Sequence, residues 1–175
     1  MELMSQDQET VQQVAEEIGT IACDPETESL LEQLQGVIAQ FQRMIDCRSY
    51  ESLQAPGHDG HWGVVEILCY LRDWEAVVHE RVRRIIEEDV PALMEPDTAM
   101  WPLDHEYGAQ DSYDAFHDLA VLRGSLIGRL REMDPAQWER TGVFERDGEL
   151  TLRDYLREVV AHDERYVQEA REAVA

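Results

Sequence analysis

Four long segments of the chain repeat apolar residues at a spacing of three and four, which is the pattern of an α-helix with one buried face. The clearest segment is "CDPETESLLEQLQGVIAQFQRMI", where Asp24 can cap the helix and Pro25 suits the first helical position. Its apolar stripe consists of Leu30, Leu31, Leu34, Val37, Ile38, Phe41 and Ile45. Helices of about 20 residues with one such stripe pack as a bundle, so we predict an all-α, four-helix bundle.

The other three helices have recognisable starts. "GVVEILCYLRDWEAVVHERVRRIIEED" begins at Gly63, and Glu66 occupies the reciprocal position of a capping box. "DSYDAFHDLAVLRGSLIGRLREM" opens with Asp111, and the fourth helix starts at Thr151 and continues close to the C-terminus. No segment makes a convincing strand, although Val143 and Phe144 form a short strand-like pair.

We expect one bundle domain over residues 25–175, preceded by an N-terminal helical extension over residues 1–24. The extension is polar and helix-prone, and it carries a few apolar residues at helical spacing. The connector at residues 89–110 is long for a compact bundle and includes Trp101, and long loops are often functional.

The charge of the chain excludes some classes of partner. The formal net charge is −23, and the 15 basic residues are all Arg and form no basic run. Such a chain repels nucleic acid and anionic membranes, so we expect neither as a partner. Three Cys residues, at positions 23, 47 and 69, are an odd number without framework spacing, which suits a reducing cytosol. With no 18-residue apolar run and no apolar leader, the expectation is a soluble, cytoplasmic protein.

Polar side chains fall on the inner faces of two helices. On the fourth helix His162 lies three residues beyond Val159, and Tyr166 lies four beyond His162. On the second helix Tyr70 lies three residues beyond Ile67 on the apolar stripe. Residues three and four apart share a helical face, so these three groups are expected to converge inside the bundle.

Several of these segments resemble the DinB/YfiT-like superfamily. They are "HWGVVEILCYLRDWEAVVHERVRRIIEED", the connector from Trp101 to Tyr107, and "GELTLRDYLREVVAHDERYVQEA". The resemblance covers roughly residues 25 to 172. It implies a four-helix bundle of up-down-down-up order and frequent dimers. It also implies a metal site of three His, one on the second helix and a His-x-x-x-His pair on the fourth. Some members are thiol transferases that use a divalent metal.

In this chain the family's metal-ligand positions are Tyr70, His162 and Tyr166, so His162 is the one His ligand retained. A neutral imidazole binds Zn or Ni well, whereas a phenol must first lose a proton from a pKa near 10. At neutral pH that deprotonation costs about 4 kcal/mol for each Tyr. We therefore predict a degenerate metal site and no bound cofactor.

Other interpretations of these residues stay open. His162 can be a hydrogen-bonded core residue, and Tyr70 and Tyr166 can be core aromatics. A rearranged site would combine His162 with carboxylates that lie near the same faces, namely Glu66, Asp73 and Asp163. The opposing interpretation is that Glu66 caps its helix and Asp73 pairs with an Arg such as Arg72 or Arg165.

Three functions compete. The first is a non-catalytic or barely catalytic bundle whose pocket binds a small polar ligand. The second is a metal-dependent enzyme that resembles a thiol S-transferase, in which His162 and carboxylates hold Zn or Ni to activate a low-molecular-weight thiol. The third is a purely structural module. In each case the resemblance implies a homodimer.

Overall fold

A computed structural model describes residues 24–57 and 60–175 of the chain. Apart from Asp24, the predicted N-terminal extension lies outside the described residues. Within those residues, four long helices form the bundle: α1 (Pro25–Cys47), α3 (Val64–Glu87), α5 (Ser112–Arg131) and α7 (Leu152–Ala173). The connections carry short elements: α2 (Tyr50–Gln54), β1 (Ala92–Leu93), α4 (Trp101–Asp104), a 3-10 turn (Tyr107–Ala109), α6 (Pro135–Trp138), β2 (Thr141–Phe144) and β3 (Gly148–Thr151). The prediction of an all-α four-helix bundle is confirmed.

The four long helices begin where their caps predict. The side chain of Asp24 accepts hydrogen bonds from two backbone N–H groups in the first turn of α1. At the start of α3 the Glu66 carboxylate accepts the Gly63 N–H at 2.7 Å. Asp111 and Thr151 accept first-turn N–H groups in α5 and α7. These bonds satisfy donors that have no partner inside the helix.

The bundle has the up-down-down-up order that the resemblance implies. Thr27 contacts Arg153 near the start of α1 and α7, and Gln40 contacts Arg171 near their ends, so these two helices are parallel. Glu75 contacts Arg123, and Glu87 contacts Arg129 further along, so α3 and α5 are parallel as well. Within the described residues, α1 packs mainly on α5 and α7, and α3 packs on the same two helices.

A buried ionic layer lies between two apolar halves of the core. Arg123 of α5 donates to Glu75 of α3 at 2.8 Å and 2.7 Å, and to Asp163 of α7 at 2.6 Å. It also donates to the Leu34 carbonyl of α1 at 3.3 Å, so one side chain links all four helices. Burial opposes the charge on Arg123, but the hydrogen bonds and charges of Glu75 and Asp163 outweigh it and raise the pKa of Arg123. The halves on either side are the packed clusters around Phe41 and around Leu31.

The chain also forms a small sheet that the sequence pattern does not reveal. Within the described residues β2 and β3 make an antiparallel hairpin, and β1 pairs in parallel with β2. The strand-like pair Val143 and Phe144 lies in β2 as expected. The expectation of no convincing strand is corrected. The sequence did not reveal β1 because this strand has two residues, too few to show an alternating pattern. It exists through pairing with a segment about 50 positions away, where Ala92 lies opposite Val143.

Among the described residues, no helix combines the length and apolar character needed to cross a membrane.

Candidate functional site

The structure brings Tyr70, His162 and Tyr166 together between α3 and α7. The Tyr70 hydroxyl lies 3.5 Å from Nε2 of His162. The ring centroids are 4.9 Å apart for Tyr70 and Tyr166, and 5.0 Å apart for His162 and Tyr166. Tyr70 is buried, and the other two side chains are partly buried.

Three indoles pack around this group. The ring of Trp62 lies 5.2 Å from that of Tyr70, Trp74 stacks on His162 at 5.1 Å, and Trp101 lies 6.2 Å from Tyr70. We call these six side chains the aromatic cluster: Trp62, Tyr70, Trp74, Trp101, His162 and Tyr166. Their centroids are separated by ring-contact distances, so the cluster is packed against itself and leaves little space between its members.

Asp163 orients the imidazole of His162. Its Oδ1 lies 2.9 Å from Nδ1 of His162, while its Oδ2 accepts a hydrogen bond from Arg123. An ionised carboxylate only accepts, so Nδ1 carries a hydrogen. In the neutral imidazole Nε2 then has a free lone pair, and this atom faces the hydroxyl of Tyr70. The neighbouring carboxylate supports the imidazole rather than adding a separate ligand.

Burial keeps the two phenols protonated. It raises the pKa of Tyr70 well above its ordinary value, and the neighbouring Tyr166 adds to the rise. Burial also raises the pKa of Tyr166, and a hydrogen bond with Tyr70 offsets part of that rise. Ligation by either phenolate would cost more here than in water. One imidazole and two protonated phenols are a poor donor set for Zn or Ni. In the described part of the chain, no three or more His, Cys, Asp or Glu are arranged to hold a metal ion.

Glu66 is engaged at the start of α3. Its Oε2 accepts the N–H of Gly63 and, at 3.1 Å, the N–H of Gly57 in the preceding connector. The carboxylate therefore caps the helix and ties down the connector, as the alternative interpretation of this residue predicts.

Asp73 is engaged on the outer side of α3. Its Oδ1 pairs with Arg72 at 2.8 Å, and its Oδ2 accepts from the Tyr107 hydroxyl at 2.8 Å and from Nδ1 of His105 at 2.6 Å. The rearranged set of Glu66, Asp73 and His162 is therefore not assembled, because both carboxylates bind partners of their own.

A cavity of about 120 Å³ opens beside His162. It lies between α3, α7 and the β2–β3 hairpin. Its wall includes Trp74, Arg81, Phe144, Tyr155 and His162. A larger groove of about 860 Å³ lies on the outer face of α3, under the connector of residues 93–110. We take the smaller cavity as the candidate site, because His162 lines it and does not line the larger groove.

Four residues near the site were missed in the sequence: Glu75, Arg81, Arg123 and Tyr155. A signal for two of them was present. Glu75 lies four residues beyond Leu71, and Arg123 lies four beyond Leu119, so each interrupts an apolar stripe with a charge. A charge at such a position indicates a buried ion pair.

Comparisons with known proteins agree with the fold. A family model described as the DinB superfamily matches residues 33–170. YfiT from Bacillus subtilis, described as a probable metal-dependent hydrolase with an unusual four-helix bundle topology, is a similar solved structure with a TM-score of 0.75. It is 20% identical over 89% of each chain, a likeness that shows the fold. Comparison with curated proteins finds no match. The match of the family model over most of the bundle shows that this chain belongs to the DinB superfamily.

Proposed function

We propose that this protein is a non-catalytic, small-ligand-binding member of its superfamily in which the family metal site is lost. The observation that carries the proposal is the replacement of two of three ligand positions by phenols, Tyr70 and Tyr166, whose pKa values burial raises. Each is held protonated, so the site offers hydrogen bonds where the resemblance to the superfamily implies imidazole ligands.

The polar groups define what the site can bind. Of Tyr70, His162 and Tyr166, His162 is the residue that lines the cavity, and the wall beside it carries the N–H groups of Arg81 and the hydroxyl-bearing side chain of Tyr155. The cavity of about 120 Å³ borders His162 directly, and a separate cavity of about 390 Å³ borders Trp62 and Tyr166 on another side of the cluster. A small polar molecule that accepts and donates hydrogen bonds matches this lining.

Tryptophan fluorescence tests the proposal, because Trp74 stacks on His162 and lines the cavity. Chelator-treated protein is titrated with a panel of small polar compounds, and saturable changes are expected for at least one. His162→Phe should abolish the response, whereas His117→Phe, on the exposed side of α5, should leave it unchanged. A panel without any saturable response in the wild type would contradict the proposal.

The competing function is a metal-dependent enzyme that resembles a thiol S-transferase and holds Zn or Ni through His162. The similar fold of YfiT, described as a probable metal-dependent hydrolase, is the observation in its favour. Elemental analysis of mildly purified protein separates the two. Our proposal expects no stoichiometric metal, and about one ion per chain retained through dialysis would favour the enzyme.

A further inference from the structure

Arg81 forms part of the wall of the cavity beside His162, and it is a buried cation. The residue is 5% exposed, and its guanidinium lies over three aromatic rings. The distances from its central carbon to the ring centroids are 5.4 Å for Trp74, 5.5 Å for Phe144 and 5.8 Å for Tyr155. These contacts hold the guanidinium in place without using its N–H groups.

Much of the hydrogen-bonding capacity of Arg81 is unused by the described residues. Its Nη2 donates to the Met94 carbonyl and to Oε1 of Glu95, both at 2.9 Å. Its Nε and Nη1 make no hydrogen bond to any group in the described part of the chain, although a guanidinium has five N–H donors in total. Glu95 balances the charge, and donors remain beside the cavity.

Tyr155 adds a second donor to the same wall. Its side chain is 4% exposed, and its hydroxyl is buried without a hydrogen-bond partner among residues 24–57 and 60–175. Burial raises the pKa of Tyr155, and Arg81 opposes that rise without cancelling it, through its charge and through the approach of its guanidinium to the phenol oxygen. The hydroxyl therefore stays protonated, and a guanidinium can only donate, so the proton of Tyr155 has no acceptor in the described part of the chain. A buried hydroxyl without an acceptor costs about 1–3 kcal/mol, and such groups are rare in folded proteins.

The charged side chains at the rim of the cavity differ from those in its buried wall. Arg146 and Arg165 line the rim, are exposed, and have no carboxylate within ion-pair distance in the described chain. The acidic side chains Asp147 and Glu158 also line the rim, where they are exposed to solvent. The buried wall holds the donors of Arg81 and Tyr155, and Glu95 beside them balances the charge of Arg81, so a strong hydrogen-bond acceptor is favoured inside.

We propose that this cavity binds a small carboxylate, whose oxygens accept hydrogen bonds from the Tyr155 hydroxyl and from Arg81. The proposal rests on the proposed function, because it names the class of ligand for the same cavity. The volume of about 120 Å³ equals about four times the share of one water in the liquid. A ligand of a few non-hydrogen atoms fits.

Glycolate and its neutral amide, glycolamide, are probes of nearly equal size that test the charge. Both are titrated at constant ionic strength with tryptophan fluorescence and thermal shift as readouts. Glycolate should bind saturably and at least about tenfold more tightly than glycolamide, since hydrogen bonds to an ionised acceptor are the stronger ones.

Two variants locate the binding. Tyr155→Phe removes one hydroxyl, and glycolate affinity should fall at least about fivefold while the urea midpoint does not fall, since the group lost had no partner. Arg81→Met keeps the buried stem and should abolish the preference for glycolate. Tyr113→Phe, on an exposed residue, and Arg83→Met, on a partly exposed one, both lie outside the cavity. They are the matched controls and should bind glycolate as the wild type does.

The outcomes separate this inference from the function on which it rests. If glycolate and glycolamide bind equally well and His162→Phe loses both, the inference of a carboxylate ligand is wrong. The proposed function, a site for small polar ligands, then stands. The same holds if other polar compounds bind and glycolate does not. If Tyr155→Phe lowers the urea midpoint and leaves glycolate affinity unchanged, the hydroxyl has a structural role and the inference is wrong. If no compound binds, the proposed function fails together with it.

Discussion

At the scale of single residues, the bundle depends on a few buried charges that must all be paired. Arg123, Glu75 and Asp163 are each 1–2% exposed and satisfy one another across three helices. Asp163 also holds the imidazole of His162, so the ionic layer and the candidate site share a residue. The layer therefore links the stability of the core to the geometry of the site.

Glu75→Ala should destabilise the fold strongly. It leaves Arg123 buried with one carboxylate fewer, and removing one partner of a buried ion pair costs about 3–5 kcal/mol. The free energy of unfolding from urea titrations measures the loss. Glu80→Ala, five residues further along on the exposed side of α3, is the control and should change the urea midpoint little. Equal effects of the two substitutions would mean that the layer contributes no more than a surface pair.

His162→Ala should cost more stability than His162→Phe. The alanine leaves a cavity beside Tyr70 and Trp74, and the phenylalanine refills that volume. Both substitutions remove the contact with the Tyr70 hydroxyl and the bond to Asp163. Each buried polar group that is left unsatisfied costs about 1–3 kcal/mol, and this cost is the same for both variants. Urea midpoints are measured with and without EDTA. A wild type that loses stability in EDTA, beside variants that do not respond, would support a bound metal instead.

At the scale of helices, the start of α1 is held by a charge that responds to acid. Hydrogen bonds from the hydroxyl and N–H of Thr27, together with the Arg153 guanidinium, lower the pKa of Asp24 to about 2 from its ordinary 3.8. A carboxyl whose pKa is lowered by folding stabilises the fold above its unfolded pKa, and that contribution is lost as the pH falls through the folded value.

Asp24→Ala should therefore lower the urea midpoint at neutral pH, and the difference from wild type should shrink between about pH 4 and about pH 2. Asp118→Ala, on the exposed face of α5, is the control and should follow the wild type throughout. A difference that stays constant down to pH 2 would show that the charge of Asp24 has no role in holding α1.

The placement of α3 against α7 can be tested by rebuilding the ligand set of the family. In Tyr70→His combined with Tyr166→His, three imidazoles should meet around one point, because the rings at these positions are already within 4.9–5.9 Å of one another. Added Zn should then raise the melting temperature of the double variant, since a ligand bound by the folded state alone stabilises it. The wild type in the same titration is the control. No zinc-dependent shift in the double variant would contradict the expected ligand geometry.

At the scale of the whole molecule, the net charge of −23 sets the response to salt. Many arginines are paired with carboxylates on the surface, but acidic residues outnumber basic ones by 38 to 15, so the chain repels itself. Salt screens this repulsion over a Debye length of about 10 Å at 0.1 M. The melting temperature should rise between low salt and about 0.5 M NaCl. A falling trend would mean that the surface ion pairs outweigh the repulsion.

The homodimer stays a prediction, which light scattering would test.

The sequence by itself determined the four long helices and the family. Apolar spacing of three and four residues predicted the four helices, and Asp24, Gly63, Asp111 and Thr151 predicted their starts. These features depend on contacts within one turn, which the order of residues contains directly. For the same reason the sequence could place Tyr70 and His162 on inner faces of their helices.

Tertiary structure alone decided which side chains share a site. Arg81 and Tyr155 are 74 positions apart, and their meeting depends on how α3 and α7 cross. Glu66 and Asp73 lie near the right face of α3 by spacing, and the sequence left open whether they join His162 or bind partners of their own. Local pairing with the Gly63 N–H and with Arg72 was one of the two alternatives, whereas the bonds of Asp73 to Tyr107 and His105 depend on the tertiary structure. Strand β1 arises in the same way, through pairing with β2. Helical periodicity fixes the direction of a side chain from its own axis, whereas cavities and ion pairs depend on the position of one axis relative to another.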